Sequence, residues 1–180
     1  GRVKLGRGKP LDLLAAANAF AKAIELAPGY AAALYRRGLA LERLGQRSLA
    51  IDELGRAVRA CPHFYEARAA LARVLAGSER LTEAEATARK ALSDRPDHAP
   101  ARSALALVHF RRGDLPRARE QLDLALALDP SDESVRSFRR NVTNVDVITA
   151  GGQVHRELPP AYNNNKATTN AFELPSAHPD

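Results

Sequence analysis

The chain lacks methionine and tryptophan, and it has a single cysteine, Cys61. One cysteine excludes a disulfide framework and leaves the redox compartment open. There is no run of eighteen or more apolar residues, so nothing in the sequence is suited to span a membrane. Aromatics are few, and β-branched residues are scarce before about residue 142, while alanine, leucine and arginine are abundant. That balance favours helix. No secretory signal is visible, and a chain that opens at Gly1 without methionine leaves room for a missing start. The compartment stays open, with the cytoplasm favoured.

Chemistry-bearing constellations are also scarce. The histidines, His63, His98, His109, His155 and His178, are scattered. Cys61 and His63 form a C-x-H beside a proline, but structural zinc needs four ligands at recognisable spacing and no such set occurs. The glycine-containing start GRVKLGRGK lacks the phosphate-cradling pattern of a P-loop. No metal, cofactor or catalytic residue is therefore expected, and the segment reads as non-enzymatic.

Charge is uneven. Residues 1–142 carry 25 Lys and Arg against 17 Asp and Glu, a net +8, whereas residues 143–180 carry 2 against 4, a net −2. A basic balance raises the question of nucleic acid. Against it, basic residues are interspersed with Glu42, Glu53, Glu66, Glu83, Glu85 and Glu120, as on a solvated face. Arginine outnumbers lysine 22 to 5, which a GC-rich coding sequence would also produce. Nucleic-acid binding is disfavoured.

What is present is periodicity. Prolines stand at Pro28, Pro62, Pro96 and Pro130, each 34 residues from the last. Alanines at Ala23, Ala57, Ala91 and Ala125 keep the same step, as do Ala16, Ala50, Ala84 and Ala118, and the small residues Gly38, Ala72 and Ala106. Each unit contains two amphipathic runs, as in Leu34, Leu41 and Leu44, then Ile51, Leu54 and Val58 on either side of Gly45. The proline ends the second run because it cannot continue a helix and holds the preceding residue out of the α region. The small residues fall where two helices must approach closely.

These columns resemble those of the tetratricopeptide repeat family. The resemblance covers about residues 10–142 and implies an all-α fold, a right-handed α-solenoid of antiparallel helix pairs. It divides the chain into a half repeat (10–28), full repeats at 31–64, 65–98 and 99–132, and a capping helix at 132–142. In that helix Ser131 is the expected N-cap and Val135, Phe138 and Val142 the apolar stripe. The sequence departs from the family where a bulky aromatic is usual early in the first helix, with Leu34, Arg68 and Arg102 there instead.

The resemblance implies a protein-interaction scaffold that takes a peptide or partner protein in a concave groove lined by the first helices. The groove positions are Tyr35, Leu39, Glu42 and Arg43 in the first full repeat. They are Glu66, Ala69, Arg73 and Ala76 in the second, and Ser103, Leu107, Phe110 and Arg111 in the third. Arginines alternating with Tyr35 and Phe110 suggest a partner of acidic and apolar character, with Leu39 and Leu107 the residues most able to serve as packing. The carboxylate clamp used by some family members is missing. The alternative reading is the repeat segment of a larger enzyme, such as a glycosyltransferase or sulfotransferase, positioning its substrate.

Beyond residue 142 the composition shifts. The β-branched alternation on both sides of Gly151-Gly152 suggests a short hairpin over 145–158, and 159–180 reads as a tail or linker. Its Tyr162, Phe172 and Glu173 suit docking on a solenoid surface, with self-association as one result.

Overall fold

The computed structural model describes residues 10–150. Every regular element among them is an α-helix: α1 (Pro10–Leu26), α2 (Ala31–Arg43), α3 (Arg47–Ala60), α4 (Tyr65–Gly77), α5 (Leu81–Asp94), α6 (Ala99–Arg111), α7 (Leu115–Leu128) and α8 (Glu133–Ala150). Helices α2 and α3, α4 and α5, and α6 and α7 pack as pairs, and each pair leans on the next through α3 on α4 and α5 on α6. Helix α1 packs on α2 and α8 on α7, so the described helices follow one another as an α-solenoid.

The small-residue columns explain why these helices sit so close. Ala50, Ala84 and Ala118 are completely buried, as are Ala57 and Ala91, with Ala125 nearly so. A Cβ added at Gly38 would lie 2.7 Å from Leu54 Cγ, so helix α2 rests directly on that leucine. The leucine column itself reads Leu54, Ala88, Leu122, so the middle pair meets through Ala72 and Ala88, small residue against small residue. Ala16 and Ala23 belong to the same two columns but are only partly buried on α1.

Turns repeat as faithfully as cores. Cys61, Arg95 and Asp129, each preceding a proline, are extended with φ of −139°, −143° and −135°. That is the conformation the following ring enforces. Within each repeat the first helix ends in a turn whose left-handed residue is Gly45 (φ 78°), Glu79 (φ 59°) or Gly113 (φ 78°). In all three the next amide reaches back to a carbonyl five residues earlier: Gln46 to Leu41, Arg80 to Leu75 and Asp114 to His109. Glycine is the usual occupant of that position because an L side chain crowds its own backbone there. Glu79 is the exception.

The arginines that replace the family's aromatic have a definite role. Arg68 donates to the Pro62 carbonyl at 2.5 Å, Arg102 to the Pro96 carbonyl at 2.8 Å, and Arg136 to the Pro130 carbonyl. Each arginine ties a helix to the turn that precedes it. Where the column holds Leu34, the side chain is instead buried in the first core cluster with Ile24 and Ala57.

Two expectations are corrected at the C-terminal end. The terminal helix runs Glu133–Ala150, past residue 142, so residues 145–150 are helical and not part of a hairpin. Extending an existing helix adds one hydrogen bond per residue fixed, and this outweighs the weak preference of β-branched residues for strand. The N-cap is Asp132, whose Oδ1 accepts from the amides of Ser134 (2.9 Å) and Val135 (3.1 Å), while Ser131 bonds Asp129. Val135, Phe138 and Val142 form the buried stripe. Residues 151–158 of the expected hairpin and the docking of the tail lie outside the described residues.

Three stability outcomes follow. Ala91→Leu should destabilise by roughly 1–3 kcal/mol through overpacking, while Ala86→Leu on the exposed side of the same helix should change little; urea melts of both variants check the register. The carboxyl of Asp94 is lowered to about 2, first by the hydrogen bonds from Lys90 and Arg68. A depressed carboxyl stabilises the fold above its ordinary pKa and loses that contribution as pH falls toward 2, so Asp94→Asn should flatten the stability profile below about pH 4. His98 is buried with its Nδ1 lacking a hydrogen-bond partner, and burial lowers its pKa below the ordinary value. Its contribution is present above pH 6.5 and is lost on acidification. His98→Phe, which places a residue like Phe64 in its column, should reduce the loss of melting temperature between pH 7 and 5.

Candidate protein-binding face

The first helices of the repeats make one continuous layer. Helix α4 packs broadly on α6 and touches α2, whereas among the described second helices α3, α5 and α7 no such broad packing occurs. First helices close together and second helices splayed apart place α2, α4 and α6 on the inner side of the curve. The residues named from the sequence as groove positions lie on these three helices, but their surroundings differ.

Tyr35 is partly buried, with its ring 4.9 Å from that of Phe64 and the Arg36 guanidinium 5.9 Å from its centre. Burial raises its phenol pKa above the ordinary value. Leu39 is partly buried against the cluster around Leu41 and Val74. Leu107 is buried in the last core cluster, and Ser103 is buried with its Oγ donating to the Ala99 carbonyl at 3.2 Å. Ala69 and Ala76 are buried, and Glu66 is exposed. Phe110 is partly buried, standing edge-on to Phe138 of α8 with ring centres 5.4 Å apart. Leu107 and Ser103 thus serve the core, while Tyr35, Leu39 and Phe110 offer partial surfaces.

The charges are largely spoken for. Arg73 makes two parallel hydrogen bonds to Glu42 across the first and second repeats, the one to Oε2 at 2.7 Å. Arg111 pairs with Glu79 at 2.6 Å across the second and third. Burial pushes the Arg111 guanidinium below its usual pKa, with Glu79 opposing that shift and Arg47 adding to it. Arg43, by contrast, is exposed. The alternation of arginine with aromatics seen in the sequence is therefore accompanied by two built-in acids.

Two contributors were not singled out from the sequence. Phe64, in the turn before α4, supports Tyr35, and its signal was its place two residues after Pro62. Glu79 was findable because it interrupts a column that otherwise holds Gly45 and Gly113. Among the described residues no group of three or more His, Cys, Asp or Glu side chains is placed to hold a metal ion. No described helix is long and apolar enough to cross a membrane.

Two tetratricopeptide repeat family models match the sequence, one over residues 11–63 and one over residues 75–142. The chain belongs to the tetratricopeptide repeat family. No curated protein matches the sequence. Among solved structures the fold is similar to that of MamA (residue 41 to the end) from Desulfovibrio magneticus RS-1. That protein is 21% identical, with a TM-score of 0.61, and the match covers 78% of this chain and 81% of that one. It is similar also to the first repeat domain of Spaghetti (RPAP3) bound to the HSP90 peptide SRMEEVD, at 19% identity and a TM-score of 0.57, covering 65% and 93%. A third is YrrB, described as a protein of this family with an unusual peptide-binding site, at 28% identity and a TM-score of 0.57, covering 66% and 61%.

Proposed function

We propose that this chain is a non-catalytic scaffold that holds an extended segment of a partner protein against the face formed by α2, α4 and α6. The observation that carries this reading is the combination on one layer of partly exposed Tyr35, Leu39 and Phe110 with the exposed rim cation Arg43. Rigid aromatics supply contact area at low entropic cost, and a rim charge steers association. Membership of a family whose solved structures include a peptide complex and a protein described as having a peptide-binding site supports the same reading. The partner proposed is of mixed acidic and apolar character, since Arg43 is an exposed cation on these helices and Tyr35 and Phe110 are partly open to receive side chains.

Photo-crosslinking maps the face directly. A benzophenone side chain at Tyr35 or Leu39 should capture the partner, and one at Arg89, exposed on the second-helix layer, should not. Phe110→Ala should weaken binding by about 2 kcal/mol if the ring anchors the segment, more than Arg43→Ala. Arg43→Ala should act mainly on association rate and its salt dependence. Because Phe110 also touches Phe138, the melting temperature of Phe110→Ala is measured alongside. Capture at Arg89 alone, with binding indifferent to Phe110→Ala, would move the site to the outer surface.

A further inference from the structure

The outer side of α7 is unlike that of the second helices inside the stack. Leu124 and Leu128 lie one turn apart on it, 39% and 44% exposed. In the 34-residue register the counterparts of Leu124 are Arg56 and Lys90, and those of Leu128 are Ala60 and Asp94. The interior helices α3 and α5 thus keep these places small or charged, whereas α7 turns two leucines to water. Pro116 and Glu120, both exposed, extend the same stripe at four-residue steps, and with Leu124 they line a shallow concavity along the helix. Large apolar side chains aligned on one exposed face mark a docking surface in a way that scattered ones do not.

The path of the chain supplies the cover. Helix α8 runs back along α7: Arg139 Nε lies 2.7 Å from Asp123 Oδ1, and Val142 shares a core cluster with Ala118. Residue numbers rise along α8 as they fall along α7, so α8 ends at Ala150 beside the start of α7, close to Pro116. Residues 151–161 reach about 36 Å when extended, and the stripe from Pro116 to Leu128 is about 18 Å long. Tyr162 and Phe172 follow that stretch, ten positions apart, so a loosely extended segment lays both rings along the stripe.

We propose that residues 159–175 dock within their own chain on the outer side of α7, with Tyr162 toward Pro116 and Phe172 toward Leu128. Tethering explains why so small a stripe suffices. A segment on a short flexible linker meets its site at an effective concentration in the millimolar range, so weak contacts hold it. The docked segment covers leucines that would otherwise offer themselves to other proteins. It lies on the second-helix layer and leaves α2, α4 and α6 open. The competing occupant is α1 of a second copy, which carries Leu14 and Leu26 in the columns of Pro116 and Leu128. That contact is bimolecular and lacks the advantage of the tether.

Amide hydrogen exchange on the full chain, at two protein concentrations, tests this. Amides of residues 159–175 should exchange about tenfold more slowly than in a free peptide of the same sequence, as for a segment docked about nine-tenths of the time. The slowing should be equal at both concentrations. Leu124→Glu combined with Leu128→Glu should return the segment to the free peptide's rates while α7 itself stays protected, since both leucines are exposed. Tyr162→Ser combined with Phe172→Ser should do the same without touching the solenoid. Free-peptide rates in the parent chain, or slowing that survives either paired variant, would overturn the proposal. Slowing of the tail only at the higher concentration would mean docking between chains and would overturn it too. A concentration-dependent dimer that Leu14→Glu with Leu26→Glu abolishes, with the tail exchanging freely, would assign the stripe to α1 of a second copy instead.

Discussion

The close approach of paired helices at three small-residue positions per repeat is the constraint on which this structure depends. Ala50, Ala84 and Ala118 have no exposed surface, and Gly38 lies so close to Leu54 that even a methyl group would press on it. Packing at that distance lets short helices of 13 or 14 residues, too short to be stable alone, bury an apolar stripe on both sides. The inner layer, and with it every candidate contact for a partner, is a by-product of that spacing.

Much of this was legible in the chain because repetition multiplies weak signals. One alanine at one position says little, but Ala57, Ala91 and Ala125 in step with Pro62, Pro96 and Pro130 fix a register, and the register assigns each residue a depth. What stayed hidden depended on individual side-chain geometry. Arg68 and Arg102 looked like losses of an aromatic and proved to bond the carbonyls of Pro62 and Pro96. Residues 145–150 read as strand from their own composition and are helix, because a helix already in progress decides for its neighbours.

The candidate site was less legible for a related reason. The register placed Tyr35, Leu39, Arg73, Phe110 and Arg111 on one layer, but it did not say which of them were already engaged. Arg73 is held by Glu42 and Arg111 by Glu79, partners 31 and 32 residues away that no single repeat contains. Leu107 turns into the core it shares with Val135 and Phe138 of α8, and Ser103 is buried with its hydroxyl on its own helix. A surface that binds other proteins is defined by what its own chain leaves unsatisfied, and that is a property of the assembled repeats.

The alanine at position 88 carries a mechanical consequence. Its counterparts Leu54 and Leu122 wedge the first and third helix pairs, whereas the middle pair closes on Ala72 and Ala88 with less apolar surface between them. Two small side chains offer each other fewer dispersion contacts than a leucine does, so within that pair the helices rely on close approach more than on interdigitation. The middle repeat is thus the one with no room to spare at this contact: Ala72 and Ala88 are both fully buried, and a leucine at position 88 would have to push the two helices apart.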